Sequence, residues 1–207
     1  MKLQEAIKKR RTLKVLSQEN VKVRDISQDV IEICEMGGKA PFHYIHSKAA
    51  EKSLKSLAPW RFYVLNGESC RALADYCDEN EIEGGKIVQM LRAAQTLIQV
   101  TWTPEVSVSE QAGLPFQQTN VEHIAAASAA VQNMLLTATA LGYENYWSSG
   151  GVLRETQLKE YLGIPSEEHL LASLFVFDTD TGNCKTKKGA LRGRQGDLES
   201  FCKFVRL

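Results

Sequence analysis

The sequence has no excess of either charge: 25 lysines and arginines balance 25 aspartates and glutamates over 207 residues. A nucleic-acid-binding domain shows a basic surplus, so that class of partner is not expected. No apolar run approaches the ~20 residues that cross a bilayer, and no apolar stretch of a secretory signal follows the basic N-terminus. There is no Cys-x-x-Cys. The five cysteines, Cys34, Cys70, Cys77, Cys184 and Cys202, are scattered and odd in number, which suits free thiols in a reducing cytoplasm rather than a zinc site or a disulfide framework. Also missing are a P-loop, a Gly-x-Gly-x-x-Gly fingerprint, a His-Glu-x-x-His pair and a nucleophile elbow. Any reaction is therefore expected from a bound cofactor rather than a side-chain nucleophile.

The length suits one domain, 1–207, with a core of its own. Apolar spacing predicts helices over 2–10, 27–37 (with Ser27 as N-cap and a Gly37-Gly38 stop), 68–80, 86–94 and 155–162. The longest helix is expected over 120–141, capped by Asn120 and closed by Gly142. A short helix is predicted over 46–57 and a polar loop over 105–119. β-branched and aromatic residues predict strands at 60–65, 95–102 and 169–178. The stretch "GNCKTKKGALRGRQGD" reads as a basic loop, and 197–206 as a short helix or strand that packs elsewhere. Alternating helices and strands without repeats indicate an α/β or α+β sandwich with helices covering a sheet.

Four features could carry chemistry. "RRTLK", Arg10 to Lys14, places two guanidiniums, a hydroxyl and an ammonium at a helix-to-loop change. It reads either as a solvated helix end or as a site for a phosphate, which guanidinium forks suit. "RGRQ", Arg192 to Gln195, is either a flexible polar loop or the second half of such a site. In "YWSSGG", Tyr146 to Gly151, hydroxyls and glycine backbone offer donors, while Trp147 either fills the core or stacks on a planar ring. In "KAPFHYIHS", His43 and His46 have no acid or thiol nearby to complete a metal shell, so a hydrogen bond to a ligand is the better use of a histidine there.

In this order, these motifs resemble the nitroreductase family of FMN enzymes. "RRT" is similar to the family's Arg-Arg-Ser, and "GGKAPFH" to its Arg-Ala-Pro-Ser or Arg-Ala-Pro-Asp-His segment. "APWRFYVL" resembles its Gln-Pro-Trp strand, and "AAASAAVQNMLLTATALGYENYW" its long Ala-rich helix and Leu-Gly-Leu-Gly-Ser-Trp signature. "LGIPSEEHLLASLFVFD" resembles its Leu-Gly-Ile-Pro helix end and the strand that follows. The likeness covers nearly the whole chain and implies an α+β fold. A central, mainly antiparallel sheet would be flanked by helices, with the long helix at the centre of a homodimer.

The resemblance further implies that Arg10, Arg11 and Thr12 hold the FMN phosphate and ribityl chain, and that Lys14 approaches the pyrimidine edge of the ring. A cation there stabilises the negative charge that accumulates on two-electron reduction. Lys39 and His43 would reach the FMN of the partner subunit. Trp147, Ser148 and Ser149 would border the flavin, and Arg192 and Arg194 would close on the phosphate. The implied activity is ping-pong hydride transfer from NAD(P)H through FMN to a small electron-poor acceptor, a nitroaromatic or a quinone. The rival is a flavin protein for storage or sensing. Three differences from the family pattern stand out: Thr12 for Ser, Ser148 for a cation, and a longer segment at 44–58 that leaves a ring-contacting Asn unassigned and is expected near the substrate face.

Overall fold

The computed structural model describes residues 1–43, 56–104 and 118–206. The chain begins with α1 (Leu3–Lys9), β1 (Leu13–Leu16) and α2 (Ser27–Gly37). It continues through β2 (Trp60–Asn66), α3 (Gly67–Glu79), α4 (Lys86–Ala93) and β3 (Thr96–Trp102). The long helix α5 (Gln118–Ala140) is followed by β4 (Glu144–Ser148), α6 (Thr156–Tyr161), β5 (His169–Phe177) and β6 (Lys185–Lys188). Short 3-10 turns occupy Gly151–Arg154, Leu191–Arg194 and Leu198–Ser200.

Four strands form one antiparallel sheet in the order β2-β3-β5-β4, and β1 pairs with β6 in a separate two-stranded ladder. A parallel bridge between Thr12 and Asn145 links the two. Side chains alternate across a strand, so each central strand feeds two cores. Leu97, Phe175 and Phe177 pack with Leu73, Leu91 and Leu158 of α3, α4 and α6 and with Leu13 and Val15 of β1. On the other face, Ile98, Leu174 and Val176 pack with Ile33 of α2 and with Ala127, Val131 and Met134 of α5. The sheet is thus covered by helices on both sides, the expected α+β architecture. Arg71 of α3 is buried and donates to the carbonyls of Val21, Leu91 and Ala94, tying the chain before α2 to the end of α4.

Several local expectations change. Ser27 is the first helical residue of α2 and not its cap; the Asp25 carboxylate accepts from both the Ser27 N–H (3.0 Å) and its hydroxyl (2.6 Å). Asn120 lies buried inside α5, whose start at Gln118 shortens the expected loop. Part of the basic loop is β6, recruited by β1 despite its exposed, non-alternating Lys-Thr-Lys-Lys sequence. The tail holds one 3-10 turn and then runs without regular structure, with Phe201, Phe204 and Val205 exposed. Of the 44–58 segment, 44–55 lies outside the described residues, as does 105–117 of the polar loop. No helix among the described residues is long and apolar enough to cross a membrane.

The crossing of α2 over α5 depends on the small residue at Gly37. A Cβ there would come within 2.6 Å of Met134 Cε, in a side chain with no exposed surface. Gly37→Val is expected to cost about 1–3 kcal/mol through overpacking, read as a lower urea midpoint with an unchanged m-value.

Candidate functional site

Arg10 leaves α1 as its C-cap, with φ −54° and ψ 125°, and its side chain is half-buried. Burial, and then the neighbouring Arg192, lower its pKa from the ordinary arginine value. Arg192 belongs to the 3-10 turn Leu191–Arg194 and donates from Nη2 to the Ile7 carbonyl in the last turn of α1 (3.0 Å). A cation at that end suits the helix dipole. Arg192 is thus near enough for its charge to act on Arg10, and neither takes part in the ion pairs found among the described residues. Arg194 is exposed on the same turn.

Arg11 turns elsewhere. It makes a two-point contact with Glu144 of β4, Nη2 to Oε1 and Nε to Oε2 (3.2 Å), and that hydrogen bonding raises its pKa. The Thr12 carbonyl accepts from Gly189 N–H at 2.9 Å. A Cβ on Gly189 would lie 2.9 Å from Thr12 Cβ, so a glycine is needed for this close approach. Lys14 Nζ stands 4.7 Å from the centroid of the Tyr146 ring, a cation–π contact. Lys14 is also directly opposite Lys187 of β6. Like charges facing each other across a ladder repel.

Trp147 and Ser148 point to opposite faces of β4. Trp147 is half-buried and packs against the core under α2 and α5, whereas Ser148 is 5% exposed. The chain then turns through Ser149, Gly150 and Gly151. Gly150 N–H donates to Ser148 Oγ (3.2 Å), and Arg154 Nε donates to the exposed Ser149's carbonyl. Gly150 has φ +108°, and a Cβ there would meet Leu170 Cδ2 at 2.7 Å, so both conformation and space demand glycine.

Lys39 and His43 form a second group, placed by α2 and α5. Both are exposed; Lys39 N–H bonds the Met36 carbonyl (3.2 Å), and His43 Nδ1 is 3.7 Å from Glu122 Oε2. Between them Ala40 is buried, and Phe42 meets Trp60 edge-on at 5.4 Å. His46 lies outside the described residues.

The structure thus joins Arg10 to Arg192 and Lys14 to β4, while Arg11 is engaged by a carboxylate. Sequence reading missed Glu144 and Lys187 as neighbours of the site, and missed the contact of Tyr146 with Lys14. Their only signal is pairing between distant strands, which no local periodicity carries.

A helix-covered antiparallel sheet with this arrangement of the N-terminal basic segment defines a nitroreductase-like fold. The nitroreductase CinD of Lactococcus lactis, solved in complex with chloramphenicol, superposes with a TM-score of 0.65 at 16% identity, over 99% of this chain and 100% of that one. A nitroreductase-like protein from Desulfovibrio desulfuricans, solved in complex with FMN, gives 0.57 at 23% identity over 100% and 98%. Residues 7–176 match the nitroreductase family, and the chain belongs to that family. A curated relative is YdjA of Escherichia coli K12, a candidate NAD(P)H nitroreductase, 24% identical over 147 residues that make up 70% of this chain and 72% of YdjA.

His169 opens β5 with its ring 5.7 Å from that of Trp102. Burial, then Lys159 and Arg154, hold its pKa below the ordinary histidine value. The unfolded chain then takes up this proton more readily than the folded one, so the stabilisation present above about pH 6.5 fades as pH falls. Thermal midpoints are expected to drop between pH 7.5 and 5.5, and His169→Gln to flatten that drop.

Proposed function

We propose that the protein is an FMN-dependent oxidoreductase. It would pass electrons from NAD(P)H to a small electron-poor acceptor, a nitroaromatic or a quinone, in a ping-pong cycle. The observation that carries this reading is that Arg192 lies near enough to Arg10 for its charge to lower that pKa, with no carboxylate among the described residues in ion-pair contact with either. Bringing two guanidiniums together costs electrostatic energy that a bound phosphate would recover. Family membership, the FMN complex of the Desulfovibrio relative and the NAD(P)H in the name of YdjA all support it.

When bound, FMN supplies the two-electron, hydride-transferring chemistry. The chain's part is to bind and orient. Arg10 and Arg192, with Arg194 beside them, would grip the phosphate, and the Thr12 hydroxyl would take the ribityl chain. Lys14, steadied by Tyr146, would place positive charge at the pyrimidine edge, where negative charge grows on reduction. Lys187, opposite Lys14, adds to the same field. The Ser149–Gly151 turn, free of bulky side chains, would let backbone approach the ring. Trp147 would border the ring from its half-buried position. Arg11, held by Glu144, would act mainly by fixing β4 against the N-terminal segment.

Lys39 and His43 are assigned to the FMN of a partner subunit in a homodimer. Two features support a dimer: the exposed Leu3 and Ile7 of α1, and the outward row of α5, where Val121 and Ala125 are exposed next to the half-buried Ser128. These are small or apolar groups on which a second copy could pack closely.

The purified protein is expected to be yellow, with flavin bands that bleach anaerobically on adding NADH or NADPH. Bound flavin that resists both donors would indicate storage or sensing instead. Each charge-assisted contact is worth about 1.5–3 kcal/mol, so the double substitution Arg10→Ala, Arg192→Ala should weaken FMN binding by at least about a hundredfold in a fluorescence titration. Unchanged affinity would refute the phosphate assignment. Sedimentation of a dilute, fully FMN-loaded monomer would count against sites shared between subunits.

A further inference from the structure

The glycine turn after β4 carries a guanidinium across it. Arg154 ends the 3-10 turn Gly151–Arg154, and its Nε donates to the Ser149 carbonyl. Gly150 leaves room for this: a Cβ there would lie 3.1 Å from Arg154 Cγ and 3.5 Å from its Nε. The side chain is thereby laid along the turn and pinned at one N–H. Ser149 and Arg154 are both exposed. Arg154 makes no other side-chain hydrogen bond among the described residues and takes part in none of their ion pairs. Its two Nη groups, the fork that suits planar oxyanions, are left unengaged. A side chain already pinned loses less freedom when it binds.

The surroundings add to its charge. Lys159 Nζ donates to the carbonyls of Ser166 (3.1 Å) and Glu168 (2.7 Å), and it too is in none of the ion pairs. His169 lies near enough to Lys159 and Arg154 for both charges to act on it. The two cations therefore share one end of the sheet. The Glu168 carboxylate does not offset them by pairing: it accepts from the Thr101 hydroxyl, and the residue is 2% exposed. Glu155, next to Arg154, is exposed and pairs with no described cation. Positive groups gathered without a paired acid set up a field that draws an anion.

We propose that Arg154 is a specificity-determining residue that binds an anionic oxygen group on a substrate brought to the Ser149–Gly151 turn. Two sources share that chemistry: the carboxylate of an acceptor and the pyrophosphate of the hydride donor. Since Nε is engaged by Ser149, recognition goes through Nη1 and Nη2. Anionic substrates are then favoured over neutral ones with the same reacting ring. What the turn faces rests on the flavin reading above; the affinity of the pinned guanidinium for an oxyanion does not.

The two half-reactions of the FMN-loaded protein, followed separately by stopped flow, test this. Loss of a charge-assisted contact corresponds to about tenfold or more. If the anion belongs to the acceptor, Arg154→Gln should lower kcat/KM by at least that factor for para-nitrobenzoate and leave para-nitrobenzyl alcohol near the native value. If it belongs to the donor, the fall should appear with NADH or NADPH and not with benzyl dihydronicotinamide, which has no phosphate. Arg154→Lys should recover part of the loss, and added salt should shrink it. Constants unchanged for all these substrates would overturn the proposal. So would an equal fall for charged and neutral ones, which would make Arg154 a support for the turn alone. The Arg154 Nε–H resonance, identified by its absence from Arg154→Gln, supplies a readout that needs no flavin. It should shift on titration with inorganic pyrophosphate or para-nitrobenzoate, and a resonance that moves with neither would also overturn the proposal. A shift in a protein that binds no FMN would refute the flavin reading and leave the anion site standing.

Discussion

The pairing of β5 with β3 on one side and β4 on the other is the constraint from which the rest of the structure follows. β3 has all seven residues buried, and β5 is buried along nearly its whole length. Such strands must be covered on both faces, so helices are required above and below the sheet. Backbone hydrogen bonding then fixes register, and register fixes chemistry. A one-residue slip of β4 would send Ser148 into the α5 core and Trp147 out of it. The same slip would part Glu144 from Arg11 and Tyr146 from Lys14, because both contacts are made from β4.

Much of this was legible in the sequence. The strands at β2, β3 and β5 carry dense β-branched and aromatic runs, and α2 carries a clean helical stripe, so their extents were found to within a residue or two. The family likeness was readable because its motifs occur in order along nearly the whole chain. What could not be read depends on partners far away in sequence. β1 is four residues long, and β6 is a run of lysines and a threonine that becomes a strand only because β1 lies beside it. The caps failed for a related reason: Asp25 and Ser27 are both competent caps, and only backbone geometry decides which carboxylate or hydroxyl meets which amide.

The candidate site divides in the same way. Basic residues at Arg10 and Arg192 stood out as clusters, but nothing local showed that Arg11 would be engaged by Glu144 while Arg10 would meet a second guanidinium. Two adjacent arginines thus have opposite electrostatic surroundings: a carboxylate raises the pKa of one, and burial with a like charge lowers that of the other. Charge counting along a sequence treats them as equal. The separation arises where α1 ends, since the chain's change of direction at Arg10 sends successive side chains to different sides.

The hydrogen bond from Arg192 to the Ile7 carbonyl spans 185 positions. Together with the β1–β6 ladder, it means that the basic cluster is built from the two ends of the described chain. During synthesis, the sheet and both cores could be complete before β6 and the Arg192 turn have left the ribosome. The contact between Arg192 and α1 would then form after the main sheet, on a scaffold already folded. A nascent chain with β5 emerged and the Arg192 turn still inside the ribosome would hold its sheet but not yet the contact of Arg192 with α1.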